Sequence, residues 1–222
     1  MKSLDFDFYA FFVISLLLLA LSAIVLLRSF NKLNQLFVST PLLFVLILAL
    51  NMLDYFSDVS PFLLYLPYLL APIGVALSAE YILYDVDYLK DRRFVFALLG
   101  YVFASLLLSV GIEASSQAVD TSQVSNLSGI AHFLMGGSLL LAALLYYRVS
   151  GRLGDLRTRI LILVSGLVIV VVSTWVRGVS YLVNGDDYRV AFVFIILGVV
   201  VVILSFLRIG ISAVKESSPA SV

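Results

Sequence analysis

The polar side chains best suited to chemistry lie near one end of several long apolar runs. Asn51 and Asp54 are three residues apart. Arg177 and Tyr181 are four apart, so each pair would share one face of a helix. His132 begins another apolar run at a similar depth. An amide, a carboxylate, an imidazole and a guanidinium at one level can bind a small polar ligand, and we predict an outward-facing pocket there.

A purely structural interpretation of the same residues stays open. An arginine within an apolar span usually needs a carboxylate partner whether or not a ligand binds. Arg177 and Asp54 would then form an interhelical pair that only fixes helix packing. Trp175 would be an aromatic wall in the pocket interpretation, and with Tyr181 an anchor at the membrane surface in the structural one.

The amino-acid composition indicates that this chain is surrounded by lipid. Its 222 residues are 62% hydrophobic and 13% charged, whereas soluble domains have about 25% charged and 45–50% apolar residues. The apolar runs are continuous, and barrel strands would alternate with period two. We therefore predict an all-α integral membrane protein surrounded by a lipid bilayer. The formal net charge of zero argues against nucleic acid as a partner.

Seven apolar stretches are long enough to cross a bilayer core of about 30 Å, which needs roughly 20 residues in a helix. They are predicted at about 9–27, 36–53, 62–84, 94–112, 130–147, 160–182 and 190–207. This division predicts a single membrane domain over 1–210 and a short cytoplasmic tail over 211–222. The first stretch lacks a small-residue cleavage site, which favours a retained span over a signal peptide.

The charges predict a direction of insertion. Eleven of the 14 Lys and Arg residues follow the first, third, fifth and seventh spans. The opposite side collects eight of the 14 Asp and Glu residues. Short cytoplasmic loops retain Lys and Arg, so the N-terminus is predicted outside and the C-terminus in the cytoplasm of a multi-pass protein of the cell membrane.

An internal repeat is a second prediction. Leu17–Leu21 resembles Leu139–Ala143, and in both places a basic loop, a long span, an acidic turn and a final span follow. Three spans, one separating span and three more would give parallel repeats. This arrangement is similar to that of sugar facilitators of the three-plus-one-plus-three type in span count only. Their proline-glutamine motif is not found here.

The third span contains the other candidate functional residues. Glu80 lies about one turn from its cytoplasmic end, where it is either a carboxylate reaching toward basic residues or a gate or coupling acid. Pro67 and Pro72 lie inside the same span, and each removes a backbone hydrogen bond. We predict a bend there that acts as a hinge or shapes a cavity.

The connection over 113–129 is predicted to be the one long outer loop. It contains Asn126-Leu127-Ser128, a glycosylation sequon on the outer side. Modification of Asn126 is an open alternative, because such triplets arise often by chance.

Several classes of function are excluded or disfavoured. The chain has no cysteine, which removes disulfides and thiolate chemistry. All lysines lie outside the spans, so a buried retinal Schiff base is excluded. One histidine cannot provide a bis-histidine haem or a histidine-rich metal centre. We expect no cofactor and no metal, and an enzyme is disfavoured because no acid, base and nucleophile share one depth.

Three functions remain. The first is a receptor-like or sensor-like module that binds a small ligand and signals through a membrane or cytoplasmic partner at the basic inner loops. The second is an uncoupled transporter or facilitator, and the third is a structural subunit of a larger membrane complex. Small residues four apart, such as Gly100 and Ala104, also allow contact between copies in a homo-oligomer.

Overall fold

The computed structural model describes residues 6–28, 32–84, 92–151, 157–183 and 189–216, and the elements in these ranges are helices without strands. The helices are α1 (Phe6–Arg28), α2 (Lys32–Leu53), α3 (Pro61–Leu70), α4 (Pro72–Tyr84), α5 (Arg92–Gln117), α6 (Thr121–Ser150), α7 (Arg157–Leu182) and α8 (Arg189–Glu216). The described chain is therefore all-α, as predicted.

Six segments of the described chain are long and apolar enough to cross a membrane. They are Phe8–Leu27, Asn34–Leu53, Pro61–Leu83, Arg92–Gln117, Thr121–Ser150 and Arg157–Leu182. A shorter apolar stretch, Ala191–Ser205, lies in α8. These helices agree with a helical membrane protein and match the order of the predicted spans. Seven crossings, their direction and the single-domain division stay predictions.

The long outer loop predicted over 113–129 is wrong. α5 continues to Gln117 and α6 begins at Thr121, so only three residues connect them. The Asp120 side chain accepts a hydrogen bond from Gln123 N at 3.0 Å and caps α6. Asp at the cap with Gln three residues later is a helix-start signal, and the polar composition of the segment concealed it. Asn126 is exposed on the helix.

Six of the seven predicted spans form a ring in chain order. α1 packs on α2, α2 on α3 and α4, α4 on α6, α6 on α7, α7 on α8, and α8 returns to α1. Phe11 and Phe192 mark this last contact, with ring centroids 5.4 Å apart. α5 lies outside the ring against α3 and α6. Its outer face includes Phe96 and Phe103, and Gly100 faces open space.

The consecutive helices α1 and α2 run in opposite directions, whereas α1 and α8 run in the same direction, with Phe11 and Phe192 both near the starts of their helices. At one end, the ring of Phe8 near the start of α1 lies 5.5 Å from that of Tyr55, just after α2. At the other end, Asn34 Nδ2 donates to Val25 O at 3.3 Å. We call the first the Tyr55 end and the second the Asn34 end.

The helices α6, α7 and α8 pack closely at small residues. A Cβ added to Gly166 of α7 would lie 3.0 Å from the carbonyl oxygen of Gly198 on α8. One added to Gly178 would lie 3.1 Å from the carbonyl oxygen of Gly129 on α6. Small residues let helix backbones approach closely in membranes, so these three helices form one tightly packed wall.

The third span consists of α3 and α4, which meet at Ala71; the backbone angles of Ala71 are still helical (φ −53°, ψ −41°), and its N–H donates to Pro67 O. Pro72 begins α4, because a proline cannot donate the backbone hydrogen bond that a continuous helix requires. Thr40 of α2 contacts this junction: its Oγ1 donates to Ala71 O at 2.5 Å and accepts from Val75 N at 2.9 Å. The Thr40 hydroxyl therefore contacts the backbone of both Ala71 and Val75, and the Tyr101 hydroxyl of α5 donates to Leu69 O nearby.

Replacement of the Thr40 hydroxyl gives a test of this contact. We expect Thr40→Val to lower the free energy of unfolding by about 1–3 kcal/mol, because two buried backbone groups lose their partner. The free energy can be measured by titration with SDS in mixed micelles. The matched control is Thr158→Val on the exposed start of α7, and equal losses in the two variants would contradict the role assigned to Thr40.

Candidate functional site

A cavity of about 310 Å³ lies inside the ring of helices. Most of its wall is apolar and comes from α1, α2, α4, α6, α7 and α8. The apolar lining residues include Leu18, Leu21, Phe37, Val75, Leu139, Leu167, Val199 and Val202. Toward the Tyr55 end the wall becomes polar, with Asn51, Tyr65, Tyr68, His132, Arg177 and Tyr181. The cavity is therefore amphipathic along its length.

Arg177 provides the charge at the polar end. The Tyr181 side chain, one helical turn further along α7, lines the same end of the cavity. The guanidinium carbon of Arg177 lies 5.0 Å from the centroid of the Phe192 ring on α8, a distance that suits a cation–π contact. Among the described residues that line the cavity, Arg177 is the one with a permanent charge.

His132 lies between two aromatic rings beside this arginine. Its ring centroid is 5.0 Å from that of Tyr68 and 5.0 Å from that of Tyr181. His132 Nδ1 is 2.8 Å from Ser128 O. Because a carbonyl oxygen only accepts, this contact assigns the hydrogen to Nδ1. The neutral ring then presents Nε2 as an acceptor.

α3 contributes two tyrosines that the sequence analysis missed. Tyr65 Oη donates to Ser128 Oγ at 2.8 Å, which connects α3 with α6. The rings of Tyr65 and Tyr68 lie 6.4 Å apart in an edge-to-face arrangement. Two tyrosines three residues apart in an apolar span were the available signal, since they share a helix face.

The structure brings four of the six predicted ligand-binding residues into the cavity wall: Asn51, His132, Arg177 and Tyr181. It does not bring Asp54 there. Asp54 Oδ1 accepts from Val59 N at 3.1 Å in the turn after α2, a local role that the spacing from Asn51 cannot indicate.

Trp175 also lies away from the cavity wall. It packs across Gly136 of α6, where an added Cβ would meet its indole ring, and its ring centroid is 6.4 Å from that of Phe133. Arg177 is two residues further along α7, so the two side chains project in different directions. The aromatic part of the wall consists of tyrosines and phenylalanines instead.

The remaining predicted residues lie in α3 and α4. Pro67 is inside α3 and its carbonyl accepts from Ala71 N at 2.9 Å, whereas Pro72 is where the helix is interrupted. Glu80 is buried in α4, with 5% of its surface exposed. It does not line the cavity, and its gate or coupling role stays a prediction.

Ser128 is the third residue of the glycosylation sequon that begins at Asn126. Ser128 lies in α6 and is 1% exposed. Its hydroxyl accepts the hydrogen bond from Tyr65 of α3. Glycosylation sequons are expected on surface loops. A helical sequon with a buried serine is a poor acceptor, and the structure therefore disfavours modification of Asn126.

Adjacent glycines test the contact between Trp175 and α6. We expect Gly136→Ala to lower the free energy of unfolding by about 1–3 kcal/mol, because the new methyl group would overpack against the indole and Thr174. Gly137 has open space beside it, so Gly137→Ala should be neutral or up to about 1 kcal/mol stabilising through helix propensity. SDS titration of both variants gives the comparison, and the reverse order would contradict this packing.

Comparison with known proteins leaves the cavity as the main guide to function. No protein-family model, curated protein or solved structure matches this chain. A fold hosts many functions, so function has to be argued from the site itself. The residues gathered at the polar end of the cavity are the strongest basis for that argument.

Proposed function

We propose that this protein is a seven-helix membrane module that binds a small ligand in its central cavity and acts as a receptor or sensor. The observation that carries the proposal is an amphipathic cavity of about 310 Å³ with Arg177 in its wall. Ligand sites are typically cavities of about 300–1,000 Å³, mainly apolar with a few polar groups that orient the ligand. This cavity fits that description in volume and lining.

The charge distribution of the sequence supports an orientation for the module. The acidic segments precede or follow the helices at the Tyr55 end, and the basic segments flank the helices at the Asn34 end. Under the positive-inside bias the Tyr55 end faces outward, with the N-terminus outside and the C-terminus in the cytoplasm. The polar end of the cavity is then the end nearer the outer surface.

The junction of α3 and α4 supports a route from the cavity to the other side. Tyr68 of α3 and Val75 of α4 line the cavity, the first before Ala71 and the second after it. α4 continues to Tyr84 at the Asn34 end. A ligand that changes the angle between α3 and α4 would move the end of α4, where the basic inner segments offer a surface to a partner protein.

A second candidate function, an uncoupled transporter, is favoured by the arrangement of the helices. In each half of the ring a central helix contacts both flanking elements: α2 contacts α1, α3 and α4, and α7 contacts α6 and α8. α5 lies outside, between the two halves in sequence. This pattern supports the parallel three-plus-one-plus-three repeat, and a cavity at the interface of two repeats is typical of transporters.

Filling the cavity tests the binding proposal. Ile195 lines the cavity and Val193 on the same helix is 59% exposed, so Ile195→Trp and Val193→Trp form a matched pair. The proteins are reconstituted in nanodiscs and heated with a panel of anionic, neutral and cationic small molecules. We expect at least one compound to raise the melting temperature of wild type and Val193→Trp but not of Ile195→Trp.

The same variants separate the two candidate functions. A panel in which no compound distinguishes Ile195→Trp from Val193→Trp would contradict ligand binding in the cavity. Counterflow of the stabilising compound into proteoliposomes then distinguishes the modes of action. Flux that Ile195→Trp abolishes indicates a transporter, and binding without flux indicates a receptor or sensor.

A further inference from the structure

We propose that the occupant of the cavity is a small neutral alcohol, an apolar molecule whose hydroxyl group donates a hydrogen bond to His132 Nε2. This inference rests on the proposed function and specifies the ligand class for that site. It follows from the hydrogen bonds that the polar lining residues already make, from the charges in the wall and from the volume of the cavity.

His132 presents a hydrogen-bond acceptor at the polar end of the cavity. Its ring lines the cavity, and Nδ1 is 2.8 Å from the carbonyl oxygen of Ser128, one turn earlier on α6. Because a carbonyl oxygen only accepts, Nδ1 carries the hydrogen and the neutral ring keeps a lone pair on Nε2. With Nδ1 held against the backbone of α6, Nε2 lies at the distal edge of the ring. A ligand that meets this edge has to donate.

Other polar side chains of the wall also direct their donors to the backbone of their own helices. Asn51 Nδ2 donates to Ile47 O at 2.8 Å, and Thr174 Oγ1 donates to Val171 O at 2.7 Å. Each partner is a carbonyl oxygen, so the oxygen lone pairs of these two side chains stay available as acceptors. Asn51 and Thr174 both line the cavity. The helices α2, α6 and α7 therefore each contribute an acceptor to the wall.

These acceptors favour a neutral donor over an ion. A carboxylate has only acceptor oxygens, so it would place a lone pair against the lone pair of His132 Nε2. An ammonium donates, but a cation in an apolar interior needs a carboxylate partner. Among the described residues that line the cavity there is no Asp or Glu. A hydroxyl group meets both requirements, because it donates and carries no charge.

The rest of the wall determines the body and the size of the ligand. Away from the polar end the lining consists of apolar side chains such as Leu18, Leu139 and Val199, which stabilise a ligand in proportion to the apolar area buried. At about 30 Å³ for each water-sized unit, a cavity of about 310 Å³ holds about ten non-hydrogen atoms. An alcohol of the size of octan-1-ol fits this limit, whereas a whole membrane lipid does not.

The test compares two isomers that differ in the donor. Octan-1-ol donates through its hydroxyl group, whereas heptyl methyl ether has the same atoms and only accepts. Binding of radiolabelled octan-1-ol to the full chain is measured in phosphatidylcholine nanodiscs, with empty nanodiscs subtracted. We expect saturable binding, and at equal mole fraction in the bilayer the ether should compete about 5- to 50-fold more weakly than unlabelled octan-1-ol. Equal competition by the two isomers would overturn the alcohol proposal while leaving a ligand-binding cavity.

The variant His132→Phe tests the acceptor with the same two isomers. It keeps an aromatic ring beside Tyr68 and Tyr181 but has no Nε2. It should bind octan-1-ol about 5- to 50-fold more weakly than wild type and bind the ether equally well, because the ether makes no hydrogen bond to Nε2. A loss of the same size for both isomers would contradict donation to His132. Ile130→Phe places the same side chain at an exposed position of α6 and should bind octan-1-ol like wild type.

Three further ligands test the charge and the size on wild-type protein. Octanoate, octylammonium and hexadecan-1-ol should each compete at least about tenfold more weakly than octan-1-ol at equal mole fraction in the bilayer. Equal competition by either ion would overturn the neutral head group, and equal competition by hexadecan-1-ol would overturn the assigned size.

The proposed function and this inference fail in different ways. If octan-1-ol does not bind but another compound of the broader panel distinguishes Ile195→Trp from Val193→Trp, the alcohol is the wrong ligand class and the binding cavity remains. If no compound distinguishes these two variants, the proposed function fails as well.

Discussion

Arg177 holds a permanent positive charge against a cavity whose wall is mainly apolar. A guanidinium at membrane depth costs several kcal/mol unless nearby groups or an anion offset it. The ring of Phe192, 5.0 Å from the guanidinium carbon, provides part of that compensation. The aromatic and hydroxyl groups of α3 and α6 surround the same point. Together with Tyr65, Tyr68 and His132, the arginine makes this end of the cavity polar.

The helices around the arginine differ in how firmly they are packed. α6, α7 and α8 approach one another at glycines, so the wall that carries His132 and Arg177 has little freedom to move. On the opposite side α3 and α4 meet at Ala71, before Pro72, and the Thr40 hydroxyl bonds to Ala71 O and Val75 N. In the proposed function, a ligand held by the α6–α8 wall would change the angle between α3 and α4.

Helical spacing in the sequence could predict much of the cavity wall. The rest of the wall depends on contacts between residues far apart in the sequence. Helical spacing placed Arg177 and Tyr181 on one face, and both line the cavity. Spacing alone could not show that Asp54 caps its own turn, because that depends on the backbone after α2. The tyrosines of α3 acquire their role only when Ser128 of α6 meets Tyr65 across the bundle. The polar composition around Asp120 predicted a long loop, whereas α5 ends at Gln117 and α6 begins at Thr121.

The central claim is that the ring surrounds a cavity with a polar end, and the absence of native cysteine makes this claim directly measurable. Thr174 lines the cavity, whereas Val172 of the same helix is 46% exposed on its outer face. In nanodiscs, the polar reagent sulfonatoethyl methanethiosulfonate should modify the Thr174→Cys variant and leave Val172→Cys unmodified, because the polar end of the cavity admits the reagent and lipid excludes it. Equal modification of the two variants, or modification of Val172→Cys alone, would contradict the account.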